Sequence, residues 1–171
     1  DQVKVETLIP AGIDPHAFEP TPQDVARVAD STVLIVNGSG FEEWLSGVLD
    51  NAGGQRLVIE ASAGLEPRAA AGAETHEEHT DEAGHADEAG HDHAVDPHFW
   101  MDPTKVEHYV TTIRDGLTQA DSANAAAYAA NADAYIVQLK QLDAWIAEQV
   151  NTIPAPRRLL VTNHESMGYY A

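Results

Sequence analysis

The residues of this chain best suited to chemistry are its nine histidines, and they divide into two kinds. His76, His79, His85, His91 and His93 lie in a stretch built from Ala, Gly, Glu, Asp and His, with a tandem repeat, DEAGHA then DEAGHD, starting at Asp81 and Asp87. His16, His98 and His164 sit beside structural cues instead: Asp14-Pro15-His16 and Asn163-His164 follow strand-like runs, and Asp96-Pro97-His98 follows the repetitive stretch. Proline before histidine fixes the backbone and lowers the entropy of holding the ring. An aspartate two residues earlier offers an acceptor for the second ring N–H. Three neutral imidazoles suit Zn²⁺, with a fourth ligand completing a tetrahedron. Spacing alone leaves this suggestive, because a single loop histidine is more often a surface or capping residue. His108, on a helix after Pro103, reads as a solvated helix position.

Composition narrows the rest. A length of 171 residues with 43% apolar content supports one core of ordinary size. With 28 acidic against 9 basic residues the formal charge is −19, which repels phosphate backbones and anionic lipid, so nucleic-acid and membrane-surface partners are not expected. Absence of cysteine removes disulfides, thiolate zinc sites and iron–sulfur ligation, leaving His, Asp and Glu as the strong metal ligands. No apolar run approaches the roughly 20 residues that span a bilayer. The chain opens on Asp1 and reads as a processed or truncated product.

The elements that must hold these histidines follow from pattern. Val3–Leu8 alternates like a half-buried strand and breaks at Pro10, Gly12 and Pro15. Thr21-Pro22 signals a short helix, with Asp24 near its positive end and Val25, Val28 and Ala29 inward. Thr32–Val36 is a continuous apolar run expected of a strand covered on both faces. Asn37-Gly38-Ser39-Gly40 turns into a second helix from Phe41 to about Asn51, with Trp44, Leu45, Val48 and Leu49 on one face, and Arg56–Ala61 reads as a third strand. This β-α-β-α-β order predicts a doubly wound parallel α/β lobe. The His- and acid-rich stretch, about 69–95, lacks the apolar surface to offset its ordering entropy and reads as a mobile, solvated loop. A helix from about Thr104 to Leu117 precedes a longer one from about Ser122 to Val150, about 40 Å long at its helical rise, with Tyr128, Tyr135, Leu139, Leu142, Trp145, Ile146 and Val150 at helical spacing. Arg158–Thr162 reads as a strand, placing His164 just past its end, where ligands bind in open α/β sheets.

Taken together, LIPAGIDPHAFEPTPQDVARVADSTVLIVNGSGFEEWL, the acidic His-rich loop, DPHFWMDP and LLVTNHESMGYYA resemble the metal-binding receptors that serve zinc- and manganese-class ABC importers. The likeness covers essentially the whole chain in order. It implies two α/β lobes joined by a long rigid helix, with the metal in the cleft between them. On that pattern residues 1–117 form the first lobe, 118–153 the connecting helix, and 154–171 the beginning of the second lobe. His16 and His98 would be first-lobe ligands and His164 a second-lobe ligand, while the family's late carboxylate ligand, and its first strand and helix, have no counterpart in this chain. Histidine at the third position and the His-rich loop point to Zn²⁺ ahead of Mn²⁺, although Cu²⁺ or Ni²⁺ can bind such donors as tightly. The resemblance further implies an extracytoplasmic location, lipid anchoring in many relatives, and an ABC permease as partner.

Within the loop each bound ion must first order a segment, which weakens affinity. The nine acidic residues from Glu74 to Asp96, with no Lys or Arg among them, would still concentrate divalent cations. His98 is therefore the tight ligand expected of that region, and the loop a weak collecting or sensing arm, or simply a solubilising insertion. Among rival readings, Ser166 and Gly168 give half of a nucleophile elbow without the partners that would follow. A zinc hydrolase would need Glu165 or Glu19 as base, and neither lies in an HExxH-type helix. Gly38-Ser39-Gly40 lacks the third glycine of a dinucleotide loop. A cell-adhesion role is another reading, with no host ligand named by the residues. Trp44, Trp100 and Trp145 read as core or cleft packing, with Phe99 and Trp100 shielding the metal. The expectation is a receptor without covalent chemistry, and self-association of the chain through the strand ending at Thr162.

Overall fold

The computed structural model describes residues 3–70 and 95–171. The expected loop histidines His76, His79, His85, His91 and His93 lie outside the described residues.

Helix α1 (Pro22–Ala29) begins where the sequence signals it. Thr21 accepts from the Asp24 backbone and Asp24 returns the bond to Thr21 N–H, a complete capping box with proline at the first helical position. Val28 is its buried residue, whereas Ala29, expected inward, is exposed. Strand β1 (Val33–Val36) pairs in parallel with β2 (Leu57–Glu60), Val33 opposite Leu57 and Val36 opposite Glu60. Between them Gly38, Ser39 and Gly40 all adopt positive φ, a left-handed turn that glycine makes cheap, and α2 (Leu45–Ala52) follows with Val48 buried. This is the predicted β-α-β unit. Its sheet has two strands among the described residues, and Ile35 and Val58 remain 44% and 39% exposed, so β1 is not covered on both faces as its apolar run suggested.

Helix α3 (Pro103–Ala120) is capped by Asp102, whose side chain accepts from Thr104 N–H. It packs against β1 and β2, and Gly116 permits the approach: a Cβ there would collide with the Ile59 side chain. Helix α4 (Ala125–Asn151) packs on α3 through buried Tyr128, Ala132 and Leu139. At the bend between them Asp121 accepts from Asn124 at 2.6 Å and from the Tyr128 hydroxyl at 2.8 Å. The long helix is thus present, but the apolar series on it is only partly inward. Tyr135, Leu142 and Trp145 are 48%, 44% and 57% exposed, so Trp145 is neither core nor cleft packing.

Two expected strands do not form. Val3–Leu8 is irregular: Val3 and Val5 lie over a groove lined by Val110, Ile113, Leu117 and Tyr128, and the Thr7 carbonyl accepts from Arg27 Nη2 at 2.8 Å. Arg158–Thr162 is also irregular, with Leu159 and Val161 84% and 83% exposed, because no described strand lies alongside to pair with it. Conversely, two short strands were not foreseen. β3 (Arg68–Ala69) pairs antiparallel with β4 (Val95–Asp96), Arg68 opposite Asp96 and Ala69 opposite Val95. They join the two ends of the His- and acid-rich stretch. No helix among the described residues is long and apolar enough to cross a membrane.

Candidate metal centre

Three loops deliver the three histidines singled out above to one place. His16, His98 and His164 each offer a ring nitrogen within 4.8 Å of the other two. His16 is half-buried, His98 buried and His164 exposed. The closest pair, His16 Nε2 and His98 Nε2, stand 3.3 Å apart. With Zn–N bonds of about 2.0–2.1 Å, the edge of a tetrahedral nitrogen shell is about 3.3 Å, so this pair matches one edge. His164 completes a triangle from the C-terminal segment, its ring centroid 5.3 Å from that of His98 and 6.1 Å from that of His16.

His98 is the most firmly held of the three. Asp96 Oδ1 lies 2.8 Å from His98 Nδ1 and also accepts the His98 backbone N–H at 2.9 Å, with both side chains less than 10% exposed. A proton on Nδ1 leaves the Nε2 lone pair directed at His16, the usual way a carboxylate orients a ligating imidazole. At His16 the matching aspartate acts on the backbone: Asp14 Oδ1 accepts the His16 N–H at 3.0 Å. Pro97 is fully buried, and its carbonyl accepts from Asn37 Nδ2 at 3.1 Å. Asn37 Oδ1 in turn accepts from the Tyr109 hydroxyl at 2.6 Å. Burial, helped by the nearby Glu42 charge, pushes the Tyr109 phenol well above its ordinary range, so it remains a donor. The Asn37–Gly38 turn is itself fixed by Glu42, whose carboxylate accepts both backbone N–H groups at 2.6 and 3.0 Å. Burial raises the Glu42 pKa despite these two donors.

Aromatic rings form the apolar side. Trp100 lies 5.0 Å from His98, and Phe41 lies 5.0 Å from His16 and 4.8 Å from Trp100, centroid to centroid. Phe99, expected beside Trp100, instead stacks on Tyr169 at 4.5 Å in the core. Phe41, Asn37 and Tyr169 were not singled out from the sequence, although the first two lie at the carboxyl end of β1, where open α/β sheets place their ligands. Trp44 packs on Phe18, 5.1 Å between centroids. His108 is not merely solvated, because its Nε2 sits 2.7 Å from the Ala63 carbonyl on the β2–β3 connection.

A parallel α/β lobe carrying a long helix, with imidazoles gathered beside the residues that follow β1, is the architecture of metal-binding solute receptors. The family model for zinc-uptake complex component A, periplasmic, matches residues 1–171, and the chain belongs to that family. It is 34% identical over 170 residues to the manganese-binding lipoprotein MntA of Halalkalibacterium halodurans, covering 99% of this chain and 50% of that protein. It is 33% identical over 172 residues to the high-affinity zinc uptake system protein ZnuA of Bacillus subtilis, covering 100% of this chain and 51% of the relative. Among solved structures, a zinc-bound deletion mutant of ZnuA superposes with a TM-score of 0.80 at 28% identity, over 98% of this chain and 57% of the other. The chain spans about half the length of the curated relatives it matches.

Proposed function

We propose that this chain is the metal-capturing part of an extracytoplasmic receptor that binds Zn²⁺ through His16, His98 and His164 and passes it to an ABC-type permease, without covalent chemistry. The observation that carries the reading is the convergence of three imidazole nitrogens within 4.8 Å from positions far apart in the chain. Residues 1–117 act as the first lobe, 118–153 as the connector and 154–171 as the start of the second lobe. The His- and acid-rich stretch serves as a weaker collecting arm. Mn²⁺ is the second reading, favoured by the relative named as manganese-binding, but three nitrogen donors suit the softer Zn²⁺ better.

A chelator-competition zinc titration tests this on the chain with residues 74–94 deleted, alongside the same deletion carrying His98→Ala. The deletion is expected to keep one tight site, and the alanine to weaken it by more than about a hundredfold, beyond the range of outer-shell partners. Loss of tight binding with the deletion alone would transfer the site to the repetitive histidines. Titration with Mn²⁺ under the same conditions separates the two metals, since a manganese receptor should hold Mn²⁺ at concentrations where a zinc receptor does not. Protons compete with zinc for imidazole, so zinc affinity should fall on acidification; a flat profile between pH 8 and 5 contradicts a three-histidine site.

A further inference from the structure

The segment that supplies His164 is irregular and mostly exposed from Arg158 to Glu165, so something beyond its own backbone must hold the third imidazole in reach of the other two. The half-buried stretch Ser166–Tyr169 follows directly. Within it the Tyr169 hydroxyl donates to the Asp96 carbonyl at 2.7 Å and accepts from the Arg68 backbone N–H at 2.8 Å. Its ring stacks on fully buried Phe99 at 4.5 Å, and the Arg68 guanidinium lies 5.8 Å above it. Gly168 fits closely beside these contacts, since a Cβ on it would sit 2.7 Å from Asp96 Oδ2. Tyr169 therefore fastens the third-ligand segment to the residue whose carboxylate holds His98 Nδ1.

We infer that Tyr169 is a positioning residue for metal capture: its hydroxyl clamps the His164 segment onto the β3–β4 ladder at Asp96, so that the third imidazole is presented before metal arrives. This rests on the three-histidine reading above. Ligand preorganisation raises affinity by removing an ordering cost from the binding step. A clamp of this kind should act only through His164, whereas a residue that merely stabilises the lobe would affect binding whether or not His164 is present.

The test is zinc affinity by chelator competition in the full chain for Tyr169→Phe, His164→Ala and the double variant. Phenylalanine keeps the stack on Phe99 and removes only the hydroxyl. Tyr169→Phe is expected to weaken zinc binding about thirtyfold, the scale of losing the net contribution of two hydrogen bonds, and to add nothing in the His164→Ala background. With Co²⁺ as a probe, Tyr169→Phe should shift the ligand-field spectrum toward that of His164→Ala. Insertion of one glycine after Glu165, which lengthens the tether between His164 and Tyr169 without touching Asp96, is expected to repeat the pattern if the phenylalanine variant folds poorly. Equal weakening in both backgrounds, or wild-type affinity in Tyr169→Phe while His164→Ala is impaired, would overturn the clamp alone. Unchanged affinity in His164→Ala would overturn the three-histidine site itself, and the clamp with it.

Discussion

Asp96 serves three neighbours at once. Its carboxylate holds the ring and backbone of His98, its carbonyl takes the Tyr169 hydroxyl, and its backbone pairs with Arg68. Replacing it with asparagine keeps the volume but weakens the acceptor facing Nδ1, so Asp96→Asn is expected to lower zinc affinity by about 10–100-fold while the far-ultraviolet spectrum of the fold is kept. Competition titration with circular dichroism on the same samples checks both halves, and unchanged affinity would mean that the carboxylate does not orient the ligand. Asp-Pro-His made this pairing legible from the residues alone, because the partner is two positions away. Phe41, Asn37 and Tyr169 carried no such local mark. They reach the surroundings of the histidines only after the fold brings together residues far apart in the chain, as with Asn37 and Pro97 or Tyr169 and Asp96.

Helices were the readable elements, because their signals are local: Thr21-Pro22, Asp102-Pro103 and the long alanine-rich run each occur where a helix is found. Strands were less so, because an alternating or apolar run becomes a strand only beside a partner. VLIV and LVIE found each other, while Val3–Leu8 lies over a helix groove and Arg158–Thr162 stays exposed. Two predictions belong here. Thr21→Ala should cost about 1 kcal/mol of stability by opening the capping box of α1, measurable by urea denaturation; no loss would mean that the Pro22 start is sufficient. At the α3–α4 bend the Asn124 amide, and after it the Tyr128 hydroxyl, hold the Asp121 carboxyl below its ordinary 3.8. A carboxyl lowered by folding contributes stability above its unfolded pKa and loses it as acid protonates the folded state. Asp121→Asn should therefore melt below the parent at neutral pH, with the gap narrowing as pH falls under about 4. A gap that stays constant with pH would assign the effect to packing.

For the molecule as a whole, the proposed ligands reach the centre from near the start, the middle and the end of the chain, so a bound ion ties distant parts together. Zinc at 100 times its dissociation constant should then raise unfolding stability by about 2.7 kcal/mol through linkage. Differential scanning calorimetry should show this rise and its loss in His98→Ala. Leu159, Leu160 and Val161 stand exposed beyond α4. Their apolar surface and free backbone are expected to make the chain associate with rising concentration in sedimentation, and a constant monomer mass would contradict that. The two-residue β3–β4 ladder has a different kind of importance. Because Ala69 and Val95 are already side by side, the entropy of closing whatever lies between them grows only with the logarithm of its length. The ladder thus holds a fixed pair of chain ends beside His98. A change in the number of residues between Ala69 and Val95 is therefore expected to pass little strain to His98, so that the length of this connection and the geometry of the three imidazoles can vary independently of each other.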